Sequence, residues 1–111
     1  MADVLTEETF DTVVGAAGVP YLVDFWASWC GRCRLLFPSV EAVARDYAGR
    51  LAVGTVDVEA HPGIAERFGV TSLPTLLLLD PGAPEERLTG VVTPAALRAL
   101  VAGRCGPAAG S

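Results

Sequence analysis

Apolar positions along the chain change period several times, and each change marks an element. Phe10, Val13, Val14 and Ala17 fall at i, i+3, i+4 and i+7, one side of an amphipathic helix. Thr6 is placed to cap that helix, Glu7 and Glu8 sit in its first turn against the positive end of the dipole, and it ends near Gly18. The run Tyr21 to Ala27 is apolar on both faces apart from Asp24, the pattern of a central strand covered on both sides. Asp24 is therefore expected to be buried. Leu36, Val40, Val43 and Tyr47 then return at helical spacing after Cys33, and Gly49 offers a left-handed stop. Pro38 lies inside this helix, where it removes a backbone donor and crowds the turn before it, so a kink is expected.

Leu51 to Val58 reads as a second buried strand, followed by a short helix that Pro62 opens and Gly69 closes. Pro74 precedes a strand from Thr75 to Asp80, residues 80–84 turn, and Glu86 to Val91 form the hairpin partner. Thr93 and Pro94 open a last helix with Leu97, Leu100 and Val101 on one face. No internal repeat and no linker interrupts the pattern. The predicted order is α-β-α-β-α-β-β-α, an α/β sandwich with a central mixed sheet flanked by helices. Residues 1–103 form a single domain, and residues 104–111 are expected to be a loose C-terminal tail.

Composition narrows the function. The 111 residues, 51% of them apolar, suit one domain with a core that needs no metal or disulfide staple. The net charge is −5 and all eight basic residues are Arg, so a nucleic-acid surface is not expected. No apolar run approaches the roughly 18 residues that span a membrane, so the protein is expected to be soluble. The first ten residues carry three acids and neither a basic start nor an apolar stretch, which makes the cytoplasm the default compartment. Three cysteines, an odd number, do not make a disulfide framework.

The chemistry sits at Trp29-Cys30-Gly31-Arg32-Cys33. Two thiols three positions apart, where a buried strand hands over to a helix, can meet within the first turn and close a disulfide. Cys30 would lie beside the free amides of the helix start, where the dipole favours the thiolate. Cys33, one turn deeper, is shielded and suited to resolving a mixed disulfide. Half a zinc site and two unrelated core thiols are the competing readings. Zinc needs further ligands, for which the chain offers Cys105 and its single histidine, His61. His61 precedes Pro62 and reads more simply as a helix-entry residue. No metal is assigned.

With these residues in view the chain resembles the thioredoxin family from Phe10 to about Val101. The resemblance is carried by Val23-Asp24-Phe25-Trp26-Ala27-Ser28-Trp29-Cys30-Gly31 with Cys33, by Pro38, by His61-Pro62-Gly63, and by Leu73-Pro74-Thr75-Leu76 followed by Gly90. It implies a thioredoxin fold and a monomeric, cytoplasmic protein-disulfide reductase. Such a protein binds no cofactor and receives electrons from NADPH through thioredoxin reductase. Carried over, Cys30 is the attacking thiol, Cys33 the resolving thiol, and Asp24 the buried carboxylate that exchanges protons with Cys33. Physics agrees on Asp24, because an uncompensated carboxylate in an apolar strand has its pKa raised.

Leu73-Pro74 resembles the family's cis-proline loop, and Trp29, Gly31, Arg32, Ser72, Leu73, Pro74, Gly90 and Val91 would form the docking surface for disulfide-containing clients. The plainer alternatives are simple packing for Trp29 and a strand bulge for Gly90. Two departures stand out. Arg32 replaces the Pro usual between Gly and the second Cys, with Arg34 close behind, and Thr55 replaces a Lys common near the buried Asp. Arg32 leaves room for a more oxidising disulfide oxidase or isomerase, and a redox-sensing binding module without turnover is the alternative of another class. Cys105 is expected to be a spare tail thiol.

Overall fold

The computed structural model describes residues 2–107. In chain order the elements are β1 (Asp3–Val4), α1 (Phe10–Gly15), β2 (Tyr21–Trp26), α2 (Gly31–Asp46), β3 (Ala52–Asp57), α3 (Pro62–Arg67), β4 (Thr75–Leu79), β5 (Glu86–Thr89) and α4 (Pro94–Cys105). The five strands form one sheet in the order β1-β3-β2-β4-β5. β1 and β3, and β3 and β2, run parallel, whereas β2 and β4, and β4 and β5, are antiparallel. The mixed α/β sheet expected from the sequence is therefore present.

Because successive side chains of a strand point to opposite faces, the buried strands serve two cores. Leu22, Leu76 and Leu78 pack with Leu36, Val40 and Val43 of α2 and Leu97 and Val101 of α4. Tyr21, Val23, Phe25 and Leu77 pack on the other face with Phe10 of α1 and Ile64 of α3. Each fully buried Leu or Phe contributes roughly 1.5–3 kcal/mol relative to exposure. Gly54 of β3 lies where the Tyr21 ring crosses toward β1. A Cβ there would come within 2.6 Å of the Tyr21 hydroxyl and 2.7 Å of Leu5, so a side chain is excluded without movement of both neighbours.

Several element ends fall one to three residues inside the expected limits, as at Gly15 for α1 and Thr89 for β5, and three larger differences from the sequence expectation stand out. First, β1 was not foreseen, because two exposed residues paired with Gly54 and Thr55 carry no periodicity. Second, the first helix begins at Phe10 instead of following Thr6. The Thr6 and Thr9 hydroxyls accept from each other's amides at 3.2 and 3.1 Å, which holds residues 7–9 in a turn before the helix. Third, α4 continues through Cys105, so the part of the expected tail at residues 104–105 is helical. Arg104 pairs with Asp80 and Glu86, and Arg50 donates to the carbonyls of Cys105 and Pro107. Tyr47 donates to Gly106 O at 2.9 Å. These long side chains anchor the segment without leaving an apolar signature. Residues 108–111 lie outside the described residues. Among the described residues no helix is long and apolar enough to cross a membrane.

Candidate active site

The parallel and antiparallel halves of the sheet meet at β2, and the chain leaves its end through Ala27, Ser28 and Trp29. Cys30 N–H donates to Ala27 O at 3.1 Å, closing a turn that aims Cys30 at the start of α2. Cys30 is the N-cap of α2, with extended backbone, and its sulfur accepts from the Cys33 amide at 3.2 Å. A sulfur thus occupies the place of a capping oxygen, among amides that the helix leaves unpaired. Cys30 and Cys33 are joined by a disulfide with Cα atoms 5.4 Å apart. They differ in access: Cys30 is 6% exposed and Cys33 is fully buried. No acid lies in the first turn of α2 to oppose a thiolate there.

The two cysteines form a small buried cluster with Ala27, against which Trp26, Val58 and Leu73 pack. Leu73 belongs to the loop before β4, and the Leu73–Pro74 peptide is cis. Thr75 Oγ1 donates to Ser72 O at 2.8 Å, and Gly90 N–H donates to Pro74 O at 2.8 Å. Gly90 has φ +86°, a conformation that favours glycine. Trp29 is 68% exposed and lines a groove of about 280 Å³ with Val58, Val70, Thr71, Ser72 and Leu73. Gly31, Arg32 and Val91 are exposed, and Pro74 is buried. Of the residues expected to form the docking surface, Trp29, Ser72 and Leu73 line this groove, Pro74 and Gly90 are bonded to each other behind it, and Gly31 and Arg32 lie on the first turn of α2.

Sequence reading missed Val58, Val70 and Thr71, which come from the ends of two separate loops. It also missed a polar link across the redox loop: Arg34 donates to Ser28 O at 2.7 Å, and Ser28 Oγ donates to Glu59 at 3.1 Å. The charged side chain directly after Cys33 was the available hint. His61 and Cys105 lie apart from the two sulfurs, His61 against Glu7 at the start of α3 and Cys105 against the α2/α4 core. A hollow of about 250 Å³ between α1 and the β4–β5 turn lies at the other end of the strands and contains no thiol.

Asp24 sits in the middle of β2, paired with Thr55 on β3 and Leu76 on β4. It shares its face of the sheet with Leu22, and so faces α2, toward the end from which that helix starts. It is fully buried, and among the described residues neither carboxylate oxygen has a hydrogen-bond partner. Loss of solvation raises its pKa to about 7. Thr55, the residue in register beside it, supplies no charge to lower that value.

A disulfide of two near neighbours at a helix start, one cysteine slightly exposed and the other fully buried, on a sheet of this topology, defines a thiol–disulfide oxidoreductase. The comparisons with known proteins narrow this. The thioredoxin family model matches residues 1–103. Thioredoxin of Mycolicibacterium smegmatis is 42% identical over 84% of this chain and 85% of its own length. The chloroplastic M-type thioredoxin of Zea mays is 37% identical over 88% of this chain, which spans 59% of that protein. A crystal structure of chloroplastic thioredoxin z superposes with a TM-score of 0.84 at 29% identity, covering 92% of both chains. The chain belongs to the thioredoxin family, and its activity is dithiol–disulfide exchange.

Proposed function

We propose that the protein reduces disulfides of client proteins, with Cys30 as nucleophile, Cys33 as resolving thiol and Asp24 as proton acceptor. The observation that carries this reading is the disulfide at the start of α2, in which Cys30 caps the helix and keeps a 6% exposure while Cys33 is fully buried. In the reduced protein the Cys30 thiolate attacks one client sulfur; a Cys30–client bond forms, the client disulfide breaks, and the first client sulfur leaves as a thiolate that takes a proton. Cys33 gives its proton to the Asp24 carboxylate and attacks the Cys30 sulfur. The Cys30–Cys33 bond forms, the Cys30–client bond breaks, and the second client sulfur leaves as a thiolate that takes a proton from solvent, to which Asp24 returns the one it accepted. Two electrons and two protons have then passed to the client. An Asp24 pKa near 7 lets the carboxylate accept a proton at neutral pH and return it afterwards.

Trp29, Gly31, Arg32, Ser72, Leu73, Pro74, Gly90 and Val91 form the docking face in this reading. A client segment lies over the disulfide between Trp29 and the Leu73–Pro74 loop. Both sulfurs and Asp24 come from one chain, so the protein acts as a monomer. In this reading the protein needs no cofactor of its own, and electrons come from NADPH through a thioredoxin reductase. The free thiol of Cys105 suits a reducing compartment such as the cytoplasm. NADPH oxidation in a mixture of the chain, a thioredoxin reductase and a disulfide-containing protein tests the reading. Consumption that requires the chain is expected; a binding module would give none. The exposed Arg32 favours one variation, a more oxidising poise, read by equilibrating the cysteine pair with glutathione buffers.

A further inference from the structure

The eight arginines are the whole cationic complement of the chain apart from its single His and its N-terminus. Five of them are ion-paired to Asp or Glu. Arg50 is bonded to the carbonyls of Cys105 and Pro107, and Arg34 to the carbonyl of Ser28. Arg32 is left: it is exposed, and among the described residues it has neither an ion pair nor a hydrogen bond. This one unengaged guanidinium stands between the two redox cysteines, on a protein whose net charge is −5. The first turn of α2 contains no acid to neutralise it, and Glu59, an acid touching the neighbouring loop, is engaged by the Ser28 hydroxyl. The groove between Trp29 and Leu73 has no charged lining, so it sorts clients by shape and apolarity.

We propose that Arg32 is a specificity-determining residue that selects disulfides flanked by a carboxylate. A client segment settling over Cys30 would place the residue beside its attacked sulfur near the first turn of α2, where an acidic side chain meets Arg32 and a basic one is repelled. The pair forms when the segment is already seated and partly desolvated, which strengthens it over a free surface pair. The rest of the acidic surface opposes approach of an acidic partner, so the preference is local to the disulfide and does not extend to net charge. This inference rests on the reading of the site as a reductase.

The test compares two peptides, each closed by the same single disulfide, with Glu or Gln flanking the cysteines, reduced by the intact protein with NADPH and a thioredoxin reductase at low salt. The Glu peptide is expected to have a kcat/KM about 2- to 5-fold higher, the range that an exposed or partly covered ion pair supplies. The ratio should fall to about 1 in Arg32→Gln and be kept in Arg32→Lys, and in the wild type it should shrink toward 1 at high ionic strength. Because each ratio is taken within one protein, changes in redox poise cancel from it. Equal rates for both peptides in the wild type, or a preference that persists in Arg32→Gln, overturn the assignment to Arg32 while leaving the reductase reading intact. Reduction of neither peptide overturns the reductase reading and the inference with it.

Discussion

Tyr21 and Asp24 lie three residues apart on β2; both are buried, and burial raises the pKa of both. At Tyr21 the polar atom has a partner: its hydroxyl donates to Asp3 at 2.6 Å, stitching β1 to the sheet. At Asp24 it has none among the described residues. A raised pKa alone therefore does not separate structural groups from chemical ones. The separating observation is whether the buried group is satisfied, because an unsatisfied carboxylate costs several kcal/mol and persists where its chemistry is used. The anchored end of β2 and its reactive end thus make opposite demands on the same strand.

The largest expected effect is at the reactive end. Cys30→Ser is predicted to reduce disulfide turnover to background, since among the described residues no other thiol is an N-cap and Cys33 is fully buried, whereas Cys33→Ser should keep attacking and stall as a covalent adduct. Gel analysis of Cys33→Ser with an oxidised client under non-reducing conditions checks this, and absence of an adduct at Cys30 would reverse the two roles.

The next effect, on the order of 4 kcal/mol, comes from the rise of the Asp24 pKa from the ordinary 3.8 to about 7. The folded state holds the extra proton, so this penalty is absent below about pH 4, grows as pH rises toward 7, and is constant above. Asp24→Asn should therefore be more stable than wild type at pH 8, by an amount that shrinks at pH 5, and should turn over more slowly near neutrality. Urea melts of both oxidised proteins at the two pH values decide the matter; a destabilised variant at pH 8 would mean that Asp24 is a satisfied structural residue.

At the anchored end the sign inverts and the size falls. Tyr21→Phe should lower stability by about 1 kcal/mol, the net worth of one hydrogen bond, and leave turnover unchanged. Loss of activity in an otherwise folded Tyr21→Phe protein would erase the distinction between the two ends. Smallest is the effect of Arg32 on redox poise. Arg32→Pro should raise the Cys30 pKa and make the potential more negative by roughly 20 mV, since the guanidinium favours the thiolate and hence the dithiol form. Glutathione titration with thiolate absorbance measures both, and a potential that does not fall would refute the charge argument.

How much of this was legible beforehand follows from how far each signal travels along the chain. β2, β3 and β4 are long apolar runs, and the Leu36–Val40–Val43 stripe marks α2 from its own spacing. The cysteine pair and Asp24 are local to one segment, so their neighbourhood could be read directly. The groove could not be read in full: Val58 and Val70–Thr71 reach Trp29 only after two crossovers bring their loops together. The same holds for β1, whose pairing depends on β3, and for the end of α4, which Arg50 reaches from 55 residues away in sequence.

The crossing at Gly54 has a consequence for how this sequence can vary. Because a Cβ at 54 would strike the Tyr21 hydroxyl and Leu5, the three positions accept change as a group. Gly54→Ala alone should be rejected, yet the same alanine becomes admissible once Tyr21 is shortened to Leu and Leu5 to Val. Variation around Gly54 is thus epistatic across the three chain segments that meet there, whereas a position such as Arg32, exposed and without a side-chain partner among the described residues, is free to change by itself.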